Sequence, residues 1–278
     1  MDGIVEPINA TSVERPAAIE YSMERDLPVM TAVRNATFIT YDQLWEELKD
    51  AKIEASKRSF NWRLQRLAGA GLVDKLPPKV PYKGAVYTIT RSGLECLESC
   101  GHGLISLTSE TQNLPKASQI QHYLELAEVR RALRNAGILR RWTGDLELRS
   151  INYSIDCPLA KDYDAVAEVE LTGRSHRIAI EYERTLKSAE RYRELSATLH
   201  SEDQISILVY LTSSLDLLYQ IIGHFDVGGM TVAIATSRAF CDNPLGCRLH
   251  LVAHDETART TLSALLTDQM NTGEASVK

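Results

Sequence analysis

The run from Ile178 to Ser188 constrains the fold of this chain more than any other segment. It begins with an alternation of side-chain character that has the period of a β-strand. In such a strand Glu181 and Glu183 share one face, and the opposite face is apolar, with Ile178, Ile180 and Tyr182. Thr185 is a residue type that caps helices, so Lys187 is expected on the first turn of a following helix, near the two carboxylates.

A third carboxylate precedes an earlier predicted strand. Asp164 stands immediately before the run 165–171, which has the composition of a strand. Two acidic strand residues with a nearby lysine have the chemistry to hold a divalent metal and to activate a water against a phosphodiester. The same pattern is typical of a solvated strand edge with ordinary surface charges, and both interpretations are open at this point.

The segment 26–101 contains closely spaced helix and turn signals. Three predicted helices are followed by a strand, a turn rich in proline and glycine, a second strand and a closing helix. Thr40 is the predicted N-cap of the second helix, and Ser56 or Ser59 that of the third. The predicted bounds are 27–36 for the first helix, 72–76 and 85–90 for the strands, and 92–100 for the closing helix. This order of elements is that of a winged helix-turn-helix.

The predicted third helix carries basic residues away from its apolar stripe. The segment 27–100 has eleven Lys and Arg against eight Asp and Glu, a net charge of +3. Basic and amide side chains at the start of a helix can enter the major groove of duplex DNA, while a wing contacts the backbone. The predicted DNA-binding residues are Lys57, Arg58, Asn61, Arg63, Arg66, Lys79 and Lys83. The alternative is a protein-docking module on which these residues are merely solvated. Trp62 is expected either to be half-buried against the closing helix, which is the commoner placement of a lone tryptophan, or to contact a base or the DNA backbone.

The rest of the chain has the pattern of a mixed α/β domain. A helix from Ser118 to Asn135 is predicted, then three strands, a helix, a strand, a helix and a final strand. The three strands are expected at 140–153, 165–171 and 177–183, the next helix at 186–199, and the final strand at 230–235. The predicted organisation is a disordered tail (1–25), a winged helix (26–101), a linker (102–116), a sheet domain (117–266) and a second tail (267–278). The predicted fold class is therefore α/β (α+β).

Composition disfavours several classes of protein. The net charge is −6 and 44% of residues are hydrophobic, which is ordinary for a soluble globular protein. The most apolar stretch, 205–222, is interrupted by polar residues, so we expect a buried strand and helix there and no membrane span. The five cysteines include no CxxC pair and no signal peptide opens the chain, so we expect a reduced, cytoplasmic protein. Walker, dinucleotide-binding and serine-hydrolase motifs are absent from the sequence.

The acid that opens one strand and the Glu-x-Glu that ends the next resemble the PD-(D/E)XK restriction-endonuclease-like fold. More narrowly, a winged helix followed by Asp…Ile-Glu-Tyr-Glu-Arg-Thr-Leu-Lys-Ser…Arg-Tyr resembles the replication-relaxation family of plasmid proteins, which includes the MobC-type relaxases. The resemblance extends over about 26–252. Its specific part comprises Asp164, Glu181, Glu183, Arg184, Thr185, Lys187, Ser188 and Tyr192.

The resemblance implies a role for each residue of the acidic motif. Asp164 and Glu181 would bind Mg²⁺ or Mn²⁺. Glu183 stands where the pattern has its lysine, so that Glu183 and Lys187 become the catalytic candidates, with Lys187 supplying the positive charge. The implied function is a metal-dependent relaxase or endonuclease that nicks duplex DNA in mobilisation or replication, alongside other mobilisation or replication proteins and with a homodimer left open. The alternative is a DNA-binding accessory protein or regulator that has the same fold and no catalytic activity.

Overall fold

The structure, a computed structural model, describes residues 22, 24–77, 84–103, 116–154, 158–225, 229–252 and 258–273. These residues form a group of helices with a small sheet, followed by a large mixed sheet with helices on both faces. The predicted α/β (α+β) class is confirmed. No helix in the described part of the chain is long and apolar enough to cross a membrane.

The N-terminal unit, residues 24–103, has the four helices and two strands that the sequence predicts, with an additional short strand between the first two helices. Its elements are α1 (Asp26–Ala36), β1 (Ile39–Thr40), α2 (Tyr41–Asp50), α3 (Lys57–Gly69), β2 (Val73–Lys75), β3 (Val86–Ile89) and α4 (Arg91–Ser99). The strands pair antiparallel in the order β1-β3-β2. The predicted wing residues Lys79 and Lys83 lie outside the described residues.

Local capping explains where the helices of this unit begin. The hydroxyl of Thr40 accepts a hydrogen bond from the backbone of Gln43, whose side chain accepts one from the Thr40 backbone, a reciprocal capping box at the start of α2. Ser56 caps α3 through the backbone N–H of Ser59. The apolar stripe of α3 is buried as predicted, through Phe60, Leu64 and Leu67.

The C-terminal unit, residues 116–273, is built around the large sheet. Its elements are α5 (Ala117–Asn135), β4 (Leu139–Gly144), α6 (Asp145–Ser154), β5 (Ala165–Leu171), β6 (Arg174–Glu183), α7 (Ala189–His200), β7 (Ile207–Thr212), α8 (Leu215–Ile221), β8 (Thr231–Thr236), α9 (Ser237–Asp242), β9 (Leu249–Leu251), β10 (Arg259–Thr260) and α10 (Leu262–Gly273). A short 3-10 turn, Ile222–His224, follows α8.

Within the described residues the large sheet has the strand order β10-β9-β8-β7-β6-β5-β4. The central pairs β6–β7 and β7–β8 are parallel, and the outer pairs are antiparallel. One face packs on α5, α9 and α10, and the other on α6, α7 and α8. Ile178, Ile180 and Tyr182 belong to the first face, as predicted, whereas Ala179 belongs to the second.

The predicted strand over 140–153 is confirmed as far as Gly144 and wrong beyond it. β4 ends at Gly144, where a Cβ atom would meet the carbonyl oxygen of Asn35, and α6 follows at once. Leu146 packs in the core of the N-terminal unit and Leu148 in the core below the sheet. Because α6 is buried on two sides, its apolar residues Leu146 and Leu148 lie two positions apart, which is the spacing typical of a strand.

Two other boundaries differ from the predictions. Ser188, not Thr185, caps α7, so Lys187 lies in the loop before the helix instead of on its first turn. The strand β8 is not the final one, because β9, β10 and α10 follow it. Helix α10 reaches into the segment 267–278, which the sequence predicted as a tail. Most of the predicted linker, 102–116, lies outside the described residues.

The two units pack directly on one another. The amide of Gln43 on α2 donates to the backbone oxygen of Leu124 at 2.9 Å and to the carboxylate of Glu128 at 2.8 Å, both on α5. The rings of Phe38 and Tyr123 lie 5.5 Å apart across the same boundary. These contacts join α2 and the loop before β1 to the long helix of the C-terminal unit.

Candidate functional site

The pairing of β5 with β6 brings the two predicted metal ligands together. Ala165 lies opposite Ile180, so Asp164 at the start of β5 faces Glu181 near the end of β6. The backbone N–H of Asp164 donates to the Glu181 carboxylate at 3.2 Å, and the backbone N–H of Tyr182 donates to the Asp164 carboxylate at 2.7 Å. Asp164 and Glu181 therefore lie in one cluster, which is the pair of acids that the family resemblance pointed to.

The predicted catalytic pair, Glu183 and Lys187, also meets. The ammonium of Lys187 lies 2.6 Å from the Glu183 carboxylate, and the hydroxyl of Tyr210 on β7 donates to the same oxygen at 2.9 Å. Burial alone would lower the pKa of Lys187, but the hydrogen bond and charge of Glu183 outweigh it and raise that pKa. Lys187 lies in the loop before α7 and not on its first turn, but it still contacts the carboxylate of Glu183.

Lys161 is a member of the cluster that the sequence analysis missed. It lies in the loop before β5, and its ammonium forms a short ion pair with the Glu181 carboxylate. The only signal in the sequence is its position three residues before Asp164. Because loops have no periodicity, no pattern predicts which way this side chain points.

His122 on α5 is the second addition. Its Nε2 lies 3.1 Å from the Asp164 carboxylate, and its ring stacks on Tyr182 with centroids 5.5 Å apart. Burial disfavours the imidazolium, but the hydrogen bond and charge of Asp164 outweigh this effect and raise the pKa of His122. No His or Cys at metal-site spacing accompanies His122 in the sequence, so no pattern pointed to it as a member of the cluster.

The two central carboxylates differ in their electrostatics. Burial raises the pKa of Glu181, although Lys161 opposes the shift. Burial alone would also raise the pKa of Asp164. The hydrogen bond and charge of His122 outweigh burial, so the pKa of Asp164 is lowered. Two neighbouring acids whose pKa values are pushed apart by their surroundings are a common feature of functional sites.

These groups open into a cleft of about 500 Å³ at the end of β6. Arg184 borders it and is held by Glu125 on α5 at 3.3 Å and by the backbone oxygen of Ser118 at 2.9 Å. The residues that line the cleft are Ser118, Gln119, His122, Asp164, Glu181, Tyr182, Glu183, Arg184, Thr185 and Lys187. The cluster is thus accessible from outside despite the burial of Glu181 and Glu183.

The side chains of the cluster limit which metal ions could bind there. No group of three His, Cys, Asp or Glu side chains in the described ranges is arranged to hold a metal ion. Mg²⁺ is usually bound by one or two carboxylates, with waters and substrate phosphates completing its shell. Asp164 and Glu181 supply two adjacent carboxylates that open into a cleft, so these residues fit the ligand chemistry of Mg²⁺ or Mn²⁺.

The exposed face of α3 is smaller than the sequence predicted. Lys57, Arg58 and Asn61 are exposed near its first turns. Arg63 is a correction, because its side chain is only 4% exposed and is bound by Asp26 and Glu54. Arg66 is partly buried and also contacts Asp26.

Trp62 is a second correction on α3. The favoured half-buried placement is wrong, because Trp62 is 62% exposed, and the guanidinium of Arg66 lies 5.2 Å from its ring centroid. The exposed placement, as a DNA contact, stays a prediction. An aromatic ring with a cation over its face therefore lies on the same exposed surface as Lys57, Arg58 and Asn61. Periodicity alone did not distinguish Trp62 from Arg63, which is the next residue along the helix.

The sequence profile of the replication-relaxation family matches residues 30–204, which is more than half of the chain. The matched region includes the helices of the N-terminal unit, the Asp164–Glu181 cluster and Lys187. Searches of curated proteins and of solved structures found no significant match. Because the match covers more than half of the chain, the chain belongs to the replication-relaxation family.

Proposed function

We propose that this protein binds duplex DNA of a plasmid or other mobile element in the cytoplasm and nicks one strand during mobilisation or replication. The observation that most directly supports this proposal is that one open cleft is lined by Asp164, Glu181, Glu183 and Lys187. Lys161 adds a second ammonium to the same cluster. Acids on adjacent strands with lysines beside them are the groups that a PD-(D/E)XK-like cleavage site requires.

Each residue has a role in the proposed reaction. A divalent cation held by Asp164 and Glu181 would offset the charge of the scissile phosphate and supply an activated water. Lys161 and Lys187 are positioned to stabilise the negative charge that develops on the phosphoryl oxygens. His122 orients the Asp164 carboxylate through its contact at 3.1 Å, and is a positioning residue.

The proposed DNA-reading element is α3. Its first turns present Lys57, Arg58 and Asn61 to solvent, and its N-terminus adds the partial positive charge of the helix. Trp62 provides an exposed ring beside these groups. We propose that these residues contact the major groove and backbone, with Lys79 and Lys83 of the proposed wing on the flanking phosphates.

The test measures nicking and binding on the same proteins. Wild type, Asp164→Asn, Glu181→Gln and Arg58→Ala are incubated with Mn²⁺ and a supercoiled plasmid carrying the cognate origin, and gel shifts are run without metal. We expect the two carboxylate variants to lose nicking and keep DNA binding. Arg58→Ala should weaken binding and reduce the log–log salt slope by about one. Glu190→Gln, an exposed carboxylate on the first turn of α7, is the control and should behave as wild type.

A second function is favoured by one specific observation. The three carboxylates of the cluster are each already matched by a basic group, Glu181 by Lys161, Glu183 by Lys187 and Asp164 by His122. Such a neutralised site is compatible with a DNA-binding accessory protein that does not cleave. Wild type that binds the origin specifically but never nicks it with Mg²⁺ or Mn²⁺ would support this function instead.

A further inference from the structure

A second polar cleft lies between the N-terminal and C-terminal units, away from the acidic cluster. Its volume is about 470 Å³. Its walls come from α1, α2, the segment after α4, α5, β4 and α6. The charged residues that line it are Arg34, Arg130, Arg134, Arg140, Arg141, Glu47 and Glu147.

The cleft carries an excess of positive charge in an acidic protein. Its five arginines face two glutamates of the lining, and Arg140 also pairs with Glu170 of β5 at 2.9 Å, which leaves a net charge of +2, whereas the whole chain has −6. His102 also lines the cleft. Burial and the charge of Arg34 lower the pKa of its imidazole, so the ring is mainly uncharged at neutral pH.

Each glutamate is shared by two arginines. Glu47 is bound by Arg130 through a short contact and by Arg134 at 3.0 Å. Glu147 is bound by Arg34 at 3.2 Å and by Arg141 at 3.4 Å. Four guanidinium groups therefore share two carboxylates. The two negative charges offset only two of the four positive charges.

Two of these arginines are buried. Arg34 is 6% exposed and Arg130 is 2% exposed. Burial lowers the pKa of both, and each is lowered further by a neighbouring arginine, Arg141 for Arg34 and Arg134 for Arg130. Burying excess like charge is costly unless an opposite charge offsets it.

A register shift in β4 brings two adjacent arginines to the wall of the cleft, where Arg141 pairs with Glu147 and Arg140 with Glu170 of β5. Successive strand residues normally point to opposite faces, yet both Arg140 and Arg141 line this space. The pairing of β4 with β5 shifts register between Leu139 and Arg141. A bulge of this kind re-aims a side chain, and bulges are frequent next to binding sites.

We propose that this cleft binds a phosphoryl group. Guanidinium groups match phosphate with paired hydrogen bonds, and a cavity of this size admits one or two phosphates with part of a nucleotide. The phosphoryl group belongs either to a DNA backbone or end, or to a free nucleotide or pyrophosphate. The site depends neither on nicking nor on α3, so its test is independent of the function proposed above.

The experiment is isothermal titration of the full chain without metal. The probes are inorganic pyrophosphate, a mononucleotide, and a short single-stranded oligonucleotide with and without a 5′-phosphate. We expect saturable binding of at least one phosphorylated probe at one site per chain. Binding of pyrophosphate or the mononucleotide identifies a free ligand as the source. Preference for an oligonucleotide over both small probes identifies a DNA phosphate: a terminal one if the 5′-phosphate is required, and a backbone one if the two oligonucleotides bind equally.

Variants separate this cleft from general basicity. Arg134 and Arg141 are partly exposed, so Arg134→Gln with Arg141→Gln should keep the fold and weaken binding by about tenfold for each arginine. Arg191→Gln removes an arginine that is 71% exposed on α7 and should leave affinity unchanged. Equal affinity of wild type and the double variant, equal loss in Arg191→Gln, or no saturable binding of any probe would overturn the proposal.

Discussion

At the scale of single residues, local pattern predicted partners along one strand but not partners from elsewhere in the chain. Glu181 and Glu183 share a face because alternation is a local property of the backbone. Lys161 could not be predicted in the same way, because it reaches Glu181 from an irregular loop. Arg63 was predicted to face solvent because basic side chains are seldom buried unless they are paired.

The burial of Arg63 leads to a prediction about stability. Arg63→Met would leave the buried carboxylate of Glu54 without its ion pair and remove one partner of Asp26. We expect the free energy of unfolding to fall by about 3–5 kcal/mol. Urea denaturation followed by circular dichroism measures this. The control is Arg58→Met on the same helix, which is exposed and should change stability by less than about 0.5 kcal/mol. Equal stability of the two variants would contradict the assignment of Arg63 as a structural residue.

At the scale of elements, caps predicted the starts of two helices and misplaced a third, and burial on two sides hid a whole helix. Thr40 caps α2 as predicted, and Ser56 is the one of the two predicted candidates that caps α3, since a cap needs only residues that are close in sequence. The helix α6 was missed because Leu146 and Leu148 enter two different cores, and no local pattern contains that information. The start of α7 shifted because Ser188 competes with Thr185 as a cap.

A glycine in α4 offers a test at this scale. A Cβ atom on Gly93 would lie far inside contact distance of the Leu72 carbonyl oxygen and would also meet Ile89. Gly93→Ala should therefore push α4 away from the strands and lower stability by about 1–3 kcal/mol. Gly69→Ala, where a Cβ would meet nothing within 4 Å, should be neutral or stabilising by up to about 1 kcal/mol. Thermal melts of both variants check this, and a stable Gly93→Ala would mean that the close approach is wrong.

At the scale of the whole molecule, the sequence indicated two domains and a linker, but not how the domains meet. The contacts between them use residues far apart in sequence, such as Gln43 with Glu128 and Glu47 with Arg130. No periodicity encodes such pairs. We infer that this packing holds the exposed face of α3 at a defined position relative to the cleft at Asp164.

Adjacent glutamates on α2 test the contact between the units. Glu47 offsets the buried Arg130 of α5, so Glu47→Ala should leave an unpaired buried charge and cost about 3–5 kcal/mol. Glu46 forms a surface pair with Lys49, and Glu46→Ala should cost less than about 1 kcal/mol. Urea titrations followed by tryptophan fluorescence and by circular dichroism measure both values. Indistinguishable losses in the two variants would argue against the packing of α2 on α5.

The central claim is that the lysines and carboxylates at the end of β6 are cleavage machinery and not only an ion-paired structural cluster. The most direct measurement is the rate at which wild type and Lys161→Met nick a supercoiled origin plasmid with Mn²⁺, with melting temperature and gel shift measured on the same samples. We predict nicking by wild type and a loss of about 100-fold or more in Lys161→Met, with DNA binding unchanged. The melting temperature of the variant should fall, because the buried Glu181 loses its ion pair, but the variant should remain folded at the assay temperature. No nicking by wild type, or an unchanged rate in Lys161→Met, would contradict the claim.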